Sequence, residues 1–240
     1  MIDLDEVILA LKKNKIEFVS GVPDSLFKHL CFKFEKFYKN KHVIAANEGS
    51  SIGLAIGYHL ASGKIPLVYL QNSGLGNTVN PIISLASSKV YQIPMILFIG
   101  WRGEIIKNKK IKDEPQHKEQ GFITEKILKT LNIKYKIVNH NSNFKKTFTL
   151  LKNQSLKNSR PVALLVRKNT FSNDIIWKVI FVVVFTTFIA YLLNSLALKQ
   201  LSPTTVSIYI YLQPILAALF AIFWGVDSLD NQKIIAGGLP

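Results

Sequence analysis

The chain has 240 residues, with 30 Lys and Arg against 15 Asp and Glu and a formal net charge of +15. Its single cysteine, Cys31, excludes an intramolecular disulfide and fits a reducing compartment. The lysines are scattered, as at Lys12-Lys13, Lys107 to Lys112 and Lys145-Lys146, with no aromatic-interleaved basic stripe, so nucleic acid is not an expected partner.

The charge divides the chain. Residues 1 to 174 hold 27 Lys and Arg against 13 Asp and Glu, whereas residues 175 to 240 hold three Lys and two Asp. A basic, soluble part therefore precedes an apolar one, with the boundary expected at 172/173. Asp3, Asp5 and Glu6 near the start, with no basic region leading into an apolar run, argue against a signal peptide, and a cytoplasmic location is expected for this part.

In chain order, Asp3 is placed to cap a helix whose Leu4, Val7, Ile8 and Leu11 share one face. Ile16 to Ser20 reads as a strand, followed by the turn Gly21-Val22-Pro23-Asp24-Ser25 and a helix through Leu26, Leu30 and Phe34. His42 to Ala45 is a short strand, and Glu48 to Ala61 a Gly- and Ala-rich helix stopped by Gly63. Leu67 to Gln71 is the next strand, then a glycine turn, a helix from about Thr78 to Ala86, and strand Met95 to Gly100. Trp101 to Gln120 reads as a long polar loop. A helix near Thr124 to Leu131, strand Tyr135 to Val138, helix Phe144 to Lys152 and strand Val162 to Val166 complete the pattern. Short apolar runs alternating with helix-period stretches predict a doubly wound α/β domain with a mainly parallel six-stranded sheet, its ligand at the carboxyl ends of the strands.

Four motifs fall at those ends. Glu48 opens its helix among Gly49, Ser50, Ser51 and Gly53; by itself it reads first as a first-turn acid favoured by the helix dipole. Asn72-Ser73-Gly74-Leu75-Gly76-Asn77 lacks the glycine spacing of a dinucleotide fingerprint and alone reads as a strand-to-helix turn. Asp24 is an ordinary turn residue by type, and His117, in Pro115-Gln116-His117, is by itself a solvated loop histidine.

Taken together and in order, these motifs resemble the pyrimidine-binding domain of thiamine-diphosphate-dependent 2-oxoacid decarboxylases, over about residues 1 to 170. Within that group the likeness is greatest to the phosphonopyruvate decarboxylases, with the stretch from Gly100 to Glu104 and Asp113 to His117 tipping the choice, and the sulfopyruvate decarboxylases are the alternative. The resemblance implies that Glu48 hydrogen-bonds the thiamine aminopyrimidine and sets its tautomer. It implies that Asn72 and Ser73 face the ring while Gly74 and Gly76, beside Asn77, permit close approach. It implies that Asp24 handles protons in the reaction cavity and that His117 is a second proton handler or a ligand of an anionic 2-oxoacid. Such enzymes hold Mg²⁺ and the diphosphate on a pyrophosphate domain with a Gly-Asp-Gly start, and no Gly-Asp-Gly occurs in this sequence. No metal ligands are therefore assigned. The expected partner is a separate pyrophosphate-domain subunit or a homo-oligomer, without which no turnover is expected.

Residues 173 to 240 are different. Ile175 to Leu198 is 24 residues with the single charge Lys178, and Val206 to Val226 is 21 residues with none. At about 1.5 Å per residue each run reaches about 32 to 36 Å, enough for a bilayer core, so a two-helix membrane-inserted tail is expected. Tyr191 to Leu198, Leu201-Ser202-Pro203 and Tyr209 to Phe223 resemble the last helices of EamA-type drug/metabolite transporters. The chain thus reads as two unrelated fragments joined, and a non-catalytic fusion is the other alternative.

Overall fold

The computed structural model describes residues 1–106, 109–110, 113–172, 180–199, and then 201–202, 204–205, 208, 212, 216–217, 219–220 and 223. It divides into two compact units, Met1–Asn173 and Asp174–Pro240.

The first unit is built on strands β1 (Val19–Gly21), β2 (His42–Ile44), β3 (Leu67–Gln71), β4 (Met95–Gly100), β7 (Lys134–Val138) and β8 (Pro161–Val166), with β5 (Ile105–Ile106) and β6 (Lys109–Lys110) as a separate antiparallel pair. The six-stranded sheet runs β2-β1-β3-β4-β8-β7 and every pairing in it is parallel. Every residue of β4 and β8 is buried, which is why both read as unbroken apolar runs in the sequence. Lys134 and Lys136 show that β7 is an edge strand, wet on one face.

Successive side chains of a strand point to opposite faces, so the sheet feeds two cores. On one face Tyr69, Phe98 and Leu164 pack with Leu11 of α1 (Leu4–Lys13), Phe34 of α2 (Lys28–Tyr38) and Phe148 of α6 (Phe144–Asn158). On the other, Leu70, Leu97 and Leu165 meet Ile52 of α3 (Glu48–Ser62) and Leu128 of α5 (Pro115–Thr130). Helices on both faces of a parallel sheet make the unit doubly wound, as expected. Asp3 caps α1, its Oδ1 accepting from the Asp5 amide at 2.9 Å. Gly63 ends α3 with φ +69°, a conformation that costs a side-chain-bearing residue energy.

Two expectations change. The predicted helix at Thr78 to Ala86 is a tight turn over Asn72–Thr78, a short α4 (Val79–Pro81) and a wide turn Ile82–Ala86. Pro81 has no N–H to continue a regular ladder, which accounts for the irregularity. The predicted loop Trp101 to Gln120 is shorter, because α5 begins at Pro115. Proline suits a first helical position, and the polar run Gln116 to Gln120 conceals the turn from a hydrophobic-period reading.

In the second unit a π-type segment, Val182–Ile189, leads into α7 (Ala190–Ala197). Phe181, Phe188 and Tyr191 are 56%, 63% and 75% exposed. Among the described residues no helix is long and apolar enough to cross a membrane. The expected span Ile175 to Leu198 is described from residue 180, and most of the expected span Val206 to Val226 lies outside the described residues.

Candidate active site

The register aligns the carboxyl ends of the strands: Gln71 is level with Gly100, and Gly100 with Val166. The residues that follow these ends form the site.

Glu48 is the first residue of α3, with Asn47 capping the helix through a 2.8 Å bond from the Ser50 amide to its Oδ1. Asn77 Nδ2 donates to Glu48 Oε2 at 2.8 Å. A Cβ on Gly74 would stand 2.1 Å from Glu48 Oε1, so only glycine lets the carboxylate lie there. Oε1 accepts no hydrogen bond among the described residues. The structure thus brings Glu48, Gly74 and Asn77 together. Gly76 is exposed with open space where a side chain would be, and Ser73 is exposed, its Oγ accepting from Gln71 Nε2 at 2.8 Å.

Asn72 is placed differently from its neighbours. It is 1% exposed, and its Nδ2 donates to the Arg102 carbonyl at 3.0 Å and to Thr124 Oγ1 at 3.0 Å. Its Oδ1 accepts from the Arg102 amide at 3.2 Å. The carboxamide therefore clasps the backbone after β4, and a ring-facing position leaves those bonds unmade.

Asp24 follows β1 and its side chain is fully buried. Burial pushes its carboxyl above the usual range, although backbone amides, Ser25 and the Arg102 charge pull it back. Its Oδ2 has no hydrogen-bond partner and lies where a Cβ on Gly100 would stand, 2.1 Å away. Ser25 Oγ is 3.5 Å from Asp24 Oδ1 and also accepts from Arg102 Nη2. Beside Asp24 opens a cavity of about 360 Å³ lined by Pro23, Lys28, Cys31, Phe32 and His42 among others. Burial raises the Cys31 thiol to about 11 and lowers the His42 imidazole, whose Nε2 lies 2.9 Å from Tyr69 Oη.

His117 lies in the first turn of α5 with Nδ1 2.8 Å from Asp113 Oδ1. Burial pushes the Asp113 carboxyl up, but the His117 bond and the Glu114 and Gly103 amides outweigh it, leaving it lowered. Gly103, at φ +65°, passes so close to α5 that a Cβ would be 1.8 Å from the His117 carbonyl oxygen. His117 Nε2 makes no hydrogen bond among the described residues. Ser25, Arg102 and Asp113 lie in stretches that carry the resemblance but had no role assigned from sequence, and Thr124, which joins the edge through Asn72, was not singled out. Among the described residues no group of three or more His, Cys, Asp or Glu is placed to hold a metal.

The sequence and the fold have counterparts among known proteins. Residues 4–124 match the model of the thiamine pyrophosphate enzyme N-terminal TPP-binding domain, and residues 156–239 match that of the EamA-like transporter family. The sulfopyruvate decarboxylase subunit alpha of Methanocaldococcus jannaschii is 32% identical over 65% of this chain and 88% of its own. The phosphonopyruvate decarboxylase of Streptomyces viridochromogenes is 30% identical over 58% of this chain but 33% of its own. These matches do not favour phosphonopyruvate over sulfopyruvate. The crystal structure of benzoylformate decarboxylase from Polynucleobacter necessarius shares the fold, with a TM-score of 0.52 at 17% identity over 72% of this chain and 31% of that one.

Proposed function

We propose a function from one premise: the chain belongs to the thiamine pyrophosphate enzymes, through their N-terminal TPP-binding domain. In this reading it is the pyrimidine-binding subunit of a 2-oxoacid decarboxylase. The substrate carries a second anionic group, as sulfopyruvate and phosphonopyruvate do, and leaves as the aldehyde plus carbon dioxide. The observation that carries the reading is the Glu48 carboxylate, fixed at one oxygen by Asn77 and bare at the other beside Gly74.

Those residues fit an aminopyrimidine: a carboxylate oxygen that accepts no hydrogen bond among the described residues and can take the ring's, held by the room Gly74 leaves for it, with Gly76 exposed nearby and no side chain there. When bound, thiamine diphosphate supplies the nucleophilic carbon for the 2-oxo group and accepts the electrons left as carbon dioxide departs. The chain's own residues orient that chemistry and handle its protons. Glu48 holds the pyrimidine in the tautomer the reaction needs. Asp24, pushed up by burial, holds a proton at higher pH than an exposed aspartate and is suited to deliver it to the former carbonyl carbon. Asp113 orients the His117 ring through Nδ1, leaving Nε2 for a second proton.

The diphosphate and Mg²⁺ belong, in this proposal, to a partner's pyrophosphate domain. The high coverage of a relative named as a subunit alpha supports a two-subunit enzyme over a long single chain. Mixing the full chain in detergent with a pyrophosphate-domain subunit, Mg²⁺ and thiamine diphosphate tests this. Carbon dioxide should be released from sulfopyruvate or phosphonopyruvate, and only when both proteins are present. Activity with neither acid counts against the reading.

For the tail, the EamA-like match and the exposed Phe181, Phe188 and Tyr191 support a helical fragment seated in lipid, with the enzyme part cytoplasmic. Retention of the full chain in carbonate-washed membranes is the expected result, and release into the wash would contradict it.

A further inference from the structure

We infer that Arg102 is the specificity residue of this site, reading the anionic head of the 2-oxoacid that survives the reaction. The inference rests on the decarboxylase reading above and names the residue that selects its substrate class.

Arg102 stands just past the end of β4, where the Asn72 carboxamide bonds both its amide and its carbonyl. With the backbone fixed in this way, the side chain reaches across to the end of β1. There Nη2 donates to Ser25 Oγ, and Nε lies 3.9 Å from Asp24 Oδ1. That distance is too long for a hydrogen bond, and both Arg102 Nε and Asp24 Oδ2 are buried without partners. Buried polar atoms left unpaired are costly, so the pair is incomplete as it stands. A guanidinium keeps its charge at any working pH and presents a planar fork suited to a sulfonate or phosphonate. Its side chain is 25% exposed, so part of it faces solvent at the strand ends.

A 2-oxoacid of this class has two anionic groups. An arginine on the carboxylate would stabilise the charge that decarboxylation must remove, and so would oppose the reaction. On the sulfonate or phosphonate the same contact persists from substrate to product. The head group is therefore the better match for Arg102.

The test compares wild type, Arg102→Gln and Arg102→Lys in the complemented enzyme on sulfopyruvate, phosphonopyruvate and pyruvate, which lacks the charged head. Arg102→Gln should lose about 100-fold in kcat/KM on the acid with the charged head, mainly through KM, and at least about ten-fold less than that on pyruvate, where only its contacts with Asp24 and Ser25 are lost. Arg102→Lys should recover part of the loss, because it restores charge but not the fork. Equal losses on all three acids, or no loss, would overturn the inference. Calorimetric titration of sulfoacetate into the full chain in detergent gives a second readout that needs no turnover. Binding that Arg102→Gln removes supports the anion site even if the complex releases no carbon dioxide, an outcome that would count against the decarboxylase reading alone. Binding absent from the wild type, or unchanged in the variant, overturns the inference whatever the activity.

Discussion

The α/β unit and the tail put the same apolar residue types to opposite use. Met95 to Gly100 is buried at every position, whereas Phe181, Phe188 and Tyr191 are all more than half exposed. The difference lies in run length and punctuation. In the first unit apolar runs last five or six residues, stop at Gln71, Gly100 or Arg167, and hand over to amphipathic helices that cover them. The tail's two long runs carry one charge between them, Lys178, so an apolar surrounding suits them. In the α/β unit the buried polar atoms without a hydrogen-bond partner include Asp24 Oδ2 and Arg102 Nε, the pair on which the specificity proposal rests.

Removing the tail should have the largest effect. Residues 1–172 should stay in the supernatant of detergent-free buffer while the full chain sediments, and equal solubility would show that the two regions do not differ as described. Next in size is Gly74→Ala, whose Cβ would stand 2.1 Å from Glu48 Oε1. Displacing that carboxylate by about 1 Å should cost about 100-fold in carbon dioxide release by the complemented enzyme, with the fold intact by circular dichroism. Gly103→Ala, at φ +65° and against the His117 carbonyl, should destabilise the α/β unit by about 3 kcal/mol in urea unfolding. Asn72→Ala strips the clasp from the Arg102 backbone and should cost about 1–3 kcal/mol in the same assay.

The smallest effect concerns pH. Burial raises the Asp24 carboxyl, so the folded chain binds that proton more tightly than the unfolded one. The stability this confers is complete below the unfolded aspartate value of about 3.9 and is lost as pH rises through the raised folded value. Asp24→Asn should therefore melt slightly higher than wild type at pH 7, with the difference closing below about pH 3.9. A variant that melts lower at pH 7 would show that the attraction to Arg102 outweighs burial.

Much of the α/β unit was legible because its signals are local. The runs Leu67 to Gln71 and Met95 to Gly100, the cap at Asp3 and the stop at Gly63 each declare themselves within a few residues. The start of α5 was not legible, since Gln116 to Gln120 offers no apolar period and Gly121 reads as a breaker. In the structure Gly121 is needed because a Cβ there would meet the Gly103 carbonyl oxygen at 1.9 Å. Glu48 was legible through the motif around it. The Asn72 clasp and the approach of Arg102 to Asp24 were not, because they join residues 30 to 78 positions apart through side-chain geometry that no spacing rule records.

Glu48 is, in the proposed function, the working carboxylate of half a thiamine site. Carbon dioxide release from sulfopyruvate and phosphonopyruvate by the full chain with an added pyrophosphate-domain subunit, wild type beside Glu48→Gln, decides it. Turnover of at least one acid by the wild type and a loss of about 1,000-fold in the variant are the expected results. Turnover that survives Glu48→Gln unchanged would contradict it.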